Sequence, residues 1–423
     1  MTLPDTLADW LDYQQRQHVQ PIALGLQRVR AVWQALAAPS PARCVISVGG
    51  TNGKGSTVAF LEAMLRARGL RVGAYTSPHL LRYNERVRID AREADDAALC
   101  AAFARVEQAR GATPLTYFEY GTLAALLLFA DARLDVAVLE VGLGGRLDAV
   151  NIIDADAAIV TTIGIDHTEY LGADRDSIGR EKAGIARAGR PLVLGSCDVP
   201  EGLSTTALDA GATLLRLGLD FDIAARGGGW RWSTSPDAAQ ALPDAGESTA
   251  VDLPELSLAA PHQPDNAAAA LAALWALRQC LGWAPQDYAR GIAAVRLPGR
   301  LQVLDDAPEL IVDVAHNPQA AAGLATWLDA QPRVLTHAVF SALADKDIAG
   351  IGAALGARIA HWHVCGILDA GTRGLDAASV AARLRMALPQ AAISLHADVP
   401  AALAAARAAL PAYGRVLAFG SFH

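Results

Sequence analysis

Residues 44–65 run strand, glycine-rich turn and helix without a break. Cys44-Val45-Ile46-Ser47-Val48 is a β-branched apolar run, Gly49-Gly50-Thr51-Asn52-Gly53-Lys54-Gly55-Ser56-Thr57 follows it, and Val58-Ala59-Phe60-Leu61-Glu62-Ala63-Met64-Leu65 carries a helical pattern. A strand that ends in glycines and restarts as a helix turns backbone N–H groups and a helix N-terminus inward, which is how a chain holds a polyphosphate. Lys54 adds a full positive charge, and Ser56 or Thr57 can reach a phosphate or its magnesium. The spacing departs from the common P-loop, because four residues do not fit between the first glycine and Gly53, and Gly55 stands before Ser56. The segment therefore reads as a P-loop variant. The competing reading, a chance glycine-rich turn, fits poorly with the flanking strand and helix.

Such a loop sits at the end of a parallel sheet, and the chain downstream supplies the strands. Arg71-Val72-Gly73-Ala74-Tyr75-Thr76-Ser77 reads as a second strand, stopped by Pro78, and residues 118–132 read as a buried helix. Further strands are expected at 134–141, at 157–163 with Asp166-His167 beyond it, and at 191–195. Continuous apolar runs, each followed by polar residues, fit parallel strands buried on both faces. Ligands collect at the carboxyl ends of such strands, and Lys54, Ser77, Glu140 and His167 all fall there. Between 216 and 258 the helical period fades. Phe221-Asp222-Ile223 and Trp230-Arg231-Trp232, around Gly227-Gly228-Gly229, read as a hairpin, 233–249 as an exposed loop and 266–281 as an alanine-rich helix. Arg296-Leu297-Pro298-Gly299-Arg300 marks a domain boundary. Beyond it strands at 310–315, 334–340, 361–367, 392–396 and 416–419 alternate with helices, one starting at Pro318. That pattern predicts a smaller doubly wound domain without a second P-loop.

A chain of 423 residues, 52% hydrophobic and 19% charged, predicts two or three domains with sizeable cores. The formal net charge of −8 gives no general pull toward nucleic acid. Arg82, Arg86 and Arg88 make a local basic cluster, facing either an anionic substrate or solvent at a strand edge. The five cysteines are scattered, and no pair has metal-ligand spacing, so buried thiols in a reducing cytoplasm are expected. The N-terminus lacks a basic region followed by an apolar one, and charges interrupt every long apolar run. Neither a signal peptide nor a membrane span is expected.

Several residues carry candidate chemistry. Glu140 ends a buried strand ahead of Gly142, Gly144 and Gly145, and a carboxylate beside a phosphate loop either reaches Mg²⁺ or makes a salt bridge. His167 at another strand end is either structural or a metal or phosphate contact. Arg180-Glu181-Lys182-Ala183-Gly184-Ile185, read alone, is a solvated helix face. In Asp313-Val314-Ala315-His316-Asn317-Pro318, Asn317 caps the helix that Pro318 begins, which leaves Asp313 and His316 for a crevice between domains. Arg300 is suited to a bidentate phosphate contact. The GxSxG and HExxH motifs of serine hydrolases and zinc proteases are absent.

Taken in order, these blocks resemble the bacterial folylpolyglutamate synthase/dihydrofolate synthase family of the Mur ligase superfamily. The resemblance runs nearly end to end. It rests on Gln20-Pro21-Ile22 with Leu24-Gly25-Leu26, Gly50 to Ser56, Thr76-Ser77-Pro78-His79-Leu80, Glu85-Arg86-Val87-Arg88 and Phe118-Glu119-Tyr120-Gly121-Thr122. It continues through 139–148, Asp166-His167-Thr168, 179–185, His262-Gln263 with Asn266, Pro298-Gly299-Arg300, 313–318, Asp345-Lys346-Asp347 and Gly420-Ser421-Phe422-His423. Two positions depart from the family pattern: Val150 stands where Thr is usual, and Ala344 where His is common.

The resemblance implies an α/β fold, with a P-loop-containing Mur ligase-like central domain of mostly parallel sheet over residues 1–297 and a smaller Rossmann-like α/β domain over 298–423. It implies an ATP-dependent ligase that adds L-glutamate to dihydropteroate and to reduced folates through an acyl phosphate. Lys54, Lys182 and His316 would be catalytic. Asn52, Gly53, Lys54, Gly55, Ser56, Thr57, Asn266, Arg300, Asp313 and His316 would bind ATP. Ser77, Glu140 and His167 would hold two Mg²⁺ ions, with Lys182 supporting one as a carbamate. Phe118, Asp148, Ala149 and Arg82 would bind the pterin or folate, and a monovalent cation has a place in the same scheme. A cytoplasmic monomer without nucleic-acid or membrane partners is expected. A monofunctional folylpolyglutamate synthase, another Mur-type amino-acid ligase and a P-loop switch protein are the alternatives.

Overall fold

In the computed structural model, which describes residues 3–18, 20, 22–241, 249–368 and 370–422, the strand ahead of the glycine turn spans Ala42–Gly49 (β1). Pro21 and His423 of the quoted blocks, and 242–248 of the expected loop, lie outside the described residues. The chain divides into two compact units. One comprises Met1–Ile163, Thr168–Ser257 and Pro264–Val295; the other comprises Gly164–His167, Leu258–Gln263 and Arg296–His423.

The first unit is built on an eight-stranded sheet. After β1 come Val72–Tyr75 (β2), Val87–Ile89 (β3), Arg92–Glu93 (β4), Leu134–Glu140 (β5), Ala157–Val160 (β6), Pro191–Leu194 (β7) and Thr213–Arg216 (β8). Their spatial order is β4-β3-β2-β5-β1-β6-β7-β8, parallel except where β3 and β4 turn back as an antiparallel edge. β1 lies between β5 and β6, and all but one of its residues are buried. Helices cover both faces, which is why these strands are apolar throughout rather than alternating. The Tyr117–Ala132 helix packs into a cluster with Trp10, Phe103 and Leu139. Ile178, Leu192 and Leu203 belong to a separate cluster. Each large side chain fully buried in this way stabilises the fold by about 1.5–3 kcal/mol. Gly73 marks one point of close approach, where a Cβ would lie 2.5 Å from Leu134 and 2.8 Å from Phe129.

A three-stranded antiparallel sheet follows: Phe221–Arg226 (β9), Gly229–Thr234 (β10) and Ala250–Leu253 (β11). The hairpin forms as expected. The segment expected as a loop from 233 does not stay irregular, since β10 runs to Thr234 and a short helix spans Pro236–Ala241. The alanine-rich helix spans Gln263–Ala276 and is followed by a separate Arg278–Leu281 turn.

The second unit carries a six-stranded sheet. Gln302–Asp306 (β12) and Glu309–Val312 (β13) form a hairpin that sequence did not announce, and Thr336–Phe340 (β14), His361–Val364 (β15), Ile393–Leu395 (β16) and Arg415–Phe419 (β17) are the expected parallel strands. The order is β12-β13-β17-β14-β15-β16. Asn317 caps the Pro318–Ala330 helix by accepting the Ala320 N–H at 2.9 Å. Several expected strands end early. β6 stops at Val160, β13 at Val312 and β15 at Val364, because the apolar runs continue past the last ladder bond into loops that are themselves partly buried. Cysteine burial is mixed: Cys44 and Cys365 are buried, Cys100 is half-buried, and Cys197 and Cys280 are exposed. Among the described residues no helix is long and apolar enough to cross a membrane.

Candidate functional site

The glycine turn after β1 is held from the neighbouring strand. Thr161 and Thr162 follow β6; the Thr161 hydroxyl donates to Asn52 O at 2.6 Å, Thr162 Oγ1 accepts the Asn52 N–H at 3.2 Å, and Thr51 N–H donates to Thr162 O at 2.7 Å. Gly50, at φ +137°, lies so close to Thr161 that a Cβ would overlap its hydroxyl. Gly53, at φ +91°, faces Asn266 of the Gln263–Ala276 helix, whose Oδ1 would be 2.5 Å from a Cβ. The loop thus needs glycine at both positions, and the structure brings Asn266 against it. Lys54 opens the Lys54–Ala67 helix with its Nζ 3.1 Å from Thr51 O. Ser56 and Thr57 are buried in the first turn, Thr57 donating to Gly53 O at 3.0 Å. Residue types and spacing alone did not single out Thr161 and Thr162; their signal is paired hydroxyls at the carboxyl end of the strand beside β1.

Three further residues converge on this end of the sheet. β5 pairs with β1 so that Glu140 sits opposite Val48, and with β2 so that Leu139 sits opposite Tyr75. Glu140 is 4% exposed, and its Oε2 accepts the Ser77 N–H at 3.2 Å. A hydroxyl and a buried carboxylate are hard oxygen donors of the kind Mg²⁺ takes, so Ser77 and Glu140 fit a magnesium ion. Lys182 overturns the solvated-face reading of its helix: it is 5% exposed, and its Nζ donates to Gly50 O at 2.9 Å. Gly145 lets the Arg175–Ala183 helix come this close, for a Cβ there would lie 2.8 Å from Glu181 O and 2.9 Å from Lys182 O.

Three of the four pterin candidates lie together, Phe118 at the start of its helix and Asp148 and Ala149 after the glycine loop. The Phe118 ring lies against Gly142, where a Cβ would be 2.5 Å away, and Asp148 Oδ2 accepts the Leu143 N–H at 2.8 Å. Asp148 Oδ1 caps the next turn by accepting Val150 N–H at 2.9 Å, and Ala149 is buried behind it. Burial pushes the Asp148 carboxyl up to about 6, against the pull of its backbone N–H donors and the Lys54 charge. Arg82 stands apart, largely exposed and ion-paired with Asp96 at 3.3 Å. Its two neighbours do not form a shared basic face: Arg88 is bound to the buried Glu62 at 2.9 Å, and Arg86 donates to His79 at 2.9 Å over the Tyr83 ring.

In the second unit the Asp313 oxygens accept N–H groups of Leu301 and Ala315, each at 2.8 Å, and burial raises its carboxyl despite the nearby Arg300 charge. His316 donates from Nδ1 to Val314 O at 2.9 Å, which leaves Nε2 facing Asp166 at 3.6 Å. Asp166 is bound by Lys346 at 2.8 Å. Burial alone would raise the Asp166 carboxyl; His316, His167 and Lys346 outweigh it and hold the carboxyl well below the usual range. His167 follows at φ +51°. Arg300 and His316 both lie beside the Phe422 ring, 5.6 and 5.7 Å from its centroid, which gives the terminal Gly420-Ser421-Phe422 block a place in this cluster.

Residues 48–191 match the Mur ligase middle domain, and residues 299–422 match the Mur ligase glutamate ligase domain. The Escherichia coli dihydrofolate synthase/folylpolyglutamate synthase is 45% identical over 420 residues, covering 99% of this chain and 93% of the relative. The chain is a member of the dihydrofolate synthase/folylpolyglutamate synthase family. Solved members align over nearly their whole length. E. coli FolC in complex with DHPP and ADP superposes with a TM-score of 0.90 at 42% identity, covering 100% of this chain and 97% of that one. A bifunctional folylpolyglutamate synthase/dihydrofolate synthase with Mn, AMPPNP and L-glutamate bound gives 0.87 at 41%, with the same coverage. The α/β architecture of a Mur ligase-like central domain and a smaller α/β domain is thereby that of the family.

Proposed function

We propose that this folylpolyglutamate synthase family member is an ATP-dependent acid–amino-acid ligase that joins L-glutamate to dihydropteroate and to folates. The observation that carries the reading is a polyphosphate loop with Glu140, Ser77 and Lys182 gathered at its mouth and the Phe118–Gly142–Asp148 loop within reach of the Lys54 charge. The relatives bound to DHPP and ADP, and to Mn, AMPPNP and L-glutamate, support the same substrates and a divalent metal.

A substrate carboxylate attacks the γ-phosphate of ATP, forming an acyl phosphate and releasing ADP. The amine of L-glutamate then attacks the acyl carbon, the C–O bond to phosphate breaks, and amide, phosphate and one proton result. Lys54 neutralises charge as two anions approach, and the loop N–H groups fix the phosphate chain. Ser77 and Glu140 would hold a magnesium ion, which when bound offsets phosphate charge. In the same reading His167 serves a second ion, Lys182 supports it as a carbamate formed when its amine takes up carbon dioxide and loses a proton, and Asn266, Arg300, Asp313 and His316 contact the nucleotide. Phe118, Ala149 and Asp148 accept the pterin. The enzyme works as a cytoplasmic monomer.

The test is product analysis with ATP and L-glutamate, using dihydropteroate and, separately, tetrahydrofolate monoglutamate. Glutamylated product and stoichiometric ADP from both are expected. Product from tetrahydrofolate monoglutamate alone would leave a monofunctional synthase, and nucleotide turnover indifferent to folate would revive a P-loop switch.

A further inference from the structure

Glu85-Arg86-Val87-Arg88, one of the ordered sequence blocks, has no task in the ligase reading. In the first unit it runs from a short turn at Tyr83–Arg86 into β3. β3 lies antiparallel to β2, with Val87 opposite Tyr75. That register sets the block beside residues 76–82, the segment that leaves β2 and carries Ser77.

The segment is tied at both ends. At its far end the Glu85 carboxylate accepts the N–H groups of Leu80, Leu81 and Arg82, each at 2.7 Å. At its near end Thr76 N–H donates to Arg86 O at 2.9 Å. The Thr76 hydroxyl donates to Glu85 O at 3.3 Å and accepts Arg88 Nη1 at 3.2 Å. Nη1 also donates to Glu85 O at 3.0 Å. Ser77 comes directly after this knot, and its N–H reaches Glu140.

Arg88 is itself anchored. Its Nε and Nη2 donate to Glu62 Oε2 at 3.0 and 2.9 Å. Glu62 is a buried residue of the Lys54–Ala67 helix, which begins at the phosphate loop. One guanidinium therefore spans the phosphate-loop helix and the residue ahead of Ser77. A buried ion pair gives little net stability, because desolvation of both charges offsets their attraction, and an apolar pair of similar size would pack as well. What an apolar pair cannot supply is the third arm. The planar fork of arginine can hold Glu62 and still donate to Thr76 and Glu85.

We propose that Arg88 is a positioning residue for the ligase reaction: braced by Glu62, it fixes Thr76 so that the Ser77 hydroxyl stays at a set separation from Glu140 and from the phosphate loop. The inference rests on the reading that Ser77 and Glu140 hold magnesium. Mg²⁺ demands near-ideal octahedral geometry, so a ligand carried on a loop gains affinity from whatever stops the loop from drifting.

The test is Mn²⁺ binding to the full-length protein with a non-hydrolysable ATP analogue present, read from the electron paramagnetic resonance signal of free Mn²⁺. That ion shares the oxygen preference of Mg²⁺. Thr76→Val removes the hydroxyl and leaves the Arg88–Glu62 pair in place, whereas Arg88→Lys keeps the charge and loses the fork. Each is expected to raise the Mn²⁺ dissociation constant about tenfold or more, with unchanged circular dichroism. The Mg²⁺ concentration for half-maximal turnover should rise in parallel, and Thr76→Ser, which keeps the hydroxyl, should bind Mn²⁺ as wild type does. Wild-type Mn²⁺ affinity in both Thr76→Val and Arg88→Lys, with or without a lowered melting temperature, would overturn the proposal. Ser77→Ala separates that result from failure of the magnesium reading. If Ser77→Ala loses Mn²⁺ affinity and the other two variants do not, the positioning role alone fails; if Ser77→Ala binds Mn²⁺ as tightly as wild type, the magnesium site and the positioning role fall together.

Discussion

Lys54 leaves the helix start with its ammonium on the Thr51 carbonyl, so its replacement removes a charge without opening a core. Lys54→Ala is expected to lower kcat by about 10²–10³, the scale of about 3–4 kcal/mol for one preorganised charge-stabilising contact. Its urea midpoint should move by no more than about 0.5 kcal/mol in stability. Near-normal turnover of the purified variant would sink the role assigned to Lys54. Asp148 behaves differently, because its oxygens hold the backbone N–H groups of Leu143 and Val150. Its folded value of about 6 lies above the ordinary 3.8, so its contribution to stability is full below 3.8 and is lost as pH rises through 6. Above that value the ionised carboxylate is the stronger acceptor for the loop N–H groups. Dihydropteroate affinity should therefore rise through a midpoint near 6 when titrated by fluorescence from pH 5 to 8, and Asp148→Asn should flatten that step; an unchanged midpoint in the variant would exclude Asp148 as its source. Lys54 could be picked out from sequence because glycine and lysine types announce a phosphate loop locally. Lys182 could not be recognised from its own segment: Arg180 and Glu181 beside it give a polar helix, and only a distant contact with Gly50 buries it.

At the level of elements, the glycines show where two pieces of backbone must touch. A Cβ on Gly145 would press on the carbonyls of Glu181 and Lys182. Gly145→Ala is therefore expected to push the Arg175–Ala183 helix away, lengthen the Lys182–Gly50 contact and cost about 1–3 kcal/mol. Hydrogen exchange should quicken in that helix, and unaltered exchange with full activity would contradict the account. Thr161→Val removes the hydroxyl that holds Asn52 O. The expected outcome is a loss of about 1 kcal/mol and a raised KM for ATP, with a smaller effect on kcat. The elements themselves were largely legible, since continuous apolar runs mark strands covered on both faces. The β12–β13 hairpin was not, because Gln302–Asp306 is mostly exposed, its Val303 and Leu304 included, with no buried alternation to reveal it. The helix at Pro236–Ala241 is too short to show a helical period in sequence.

The whole molecule responds to acid through a half-buried histidine, His262. Burial and the Arg300 charge lower His262 to about 4. A histidine depressed in the folded state contributes stability that is present above 6.5 and is lost as pH falls through 4. Urea denaturation at pH 7.5, 5.5 and 4.5 should show a progressive loss, of which His262 accounts for about 2 kcal/mol, and His262→Gln should shrink the pH dependence by that amount. Identical pH profiles would remove His262 as the cause.

The local chemistry of the chain was enough to specify a phosphate loop at the end of a parallel sheet, a second βα alternation after Pro298 and, through its ordered blocks, a ligase family. Periodicity, glycine placement and residue type act within a few residues, and such signals can be read along a line. The partners of those residues depend on strand order and helix packing. β1 lying between β5 and β6 puts Glu140 beside Val48 and Thr161 beside the loop, and helix approach at Gly145 turns Lys182 inward. Contacts between residues about a hundred positions apart come from burying apolar faces against one another, and no short stretch of sequence records which faces will meet.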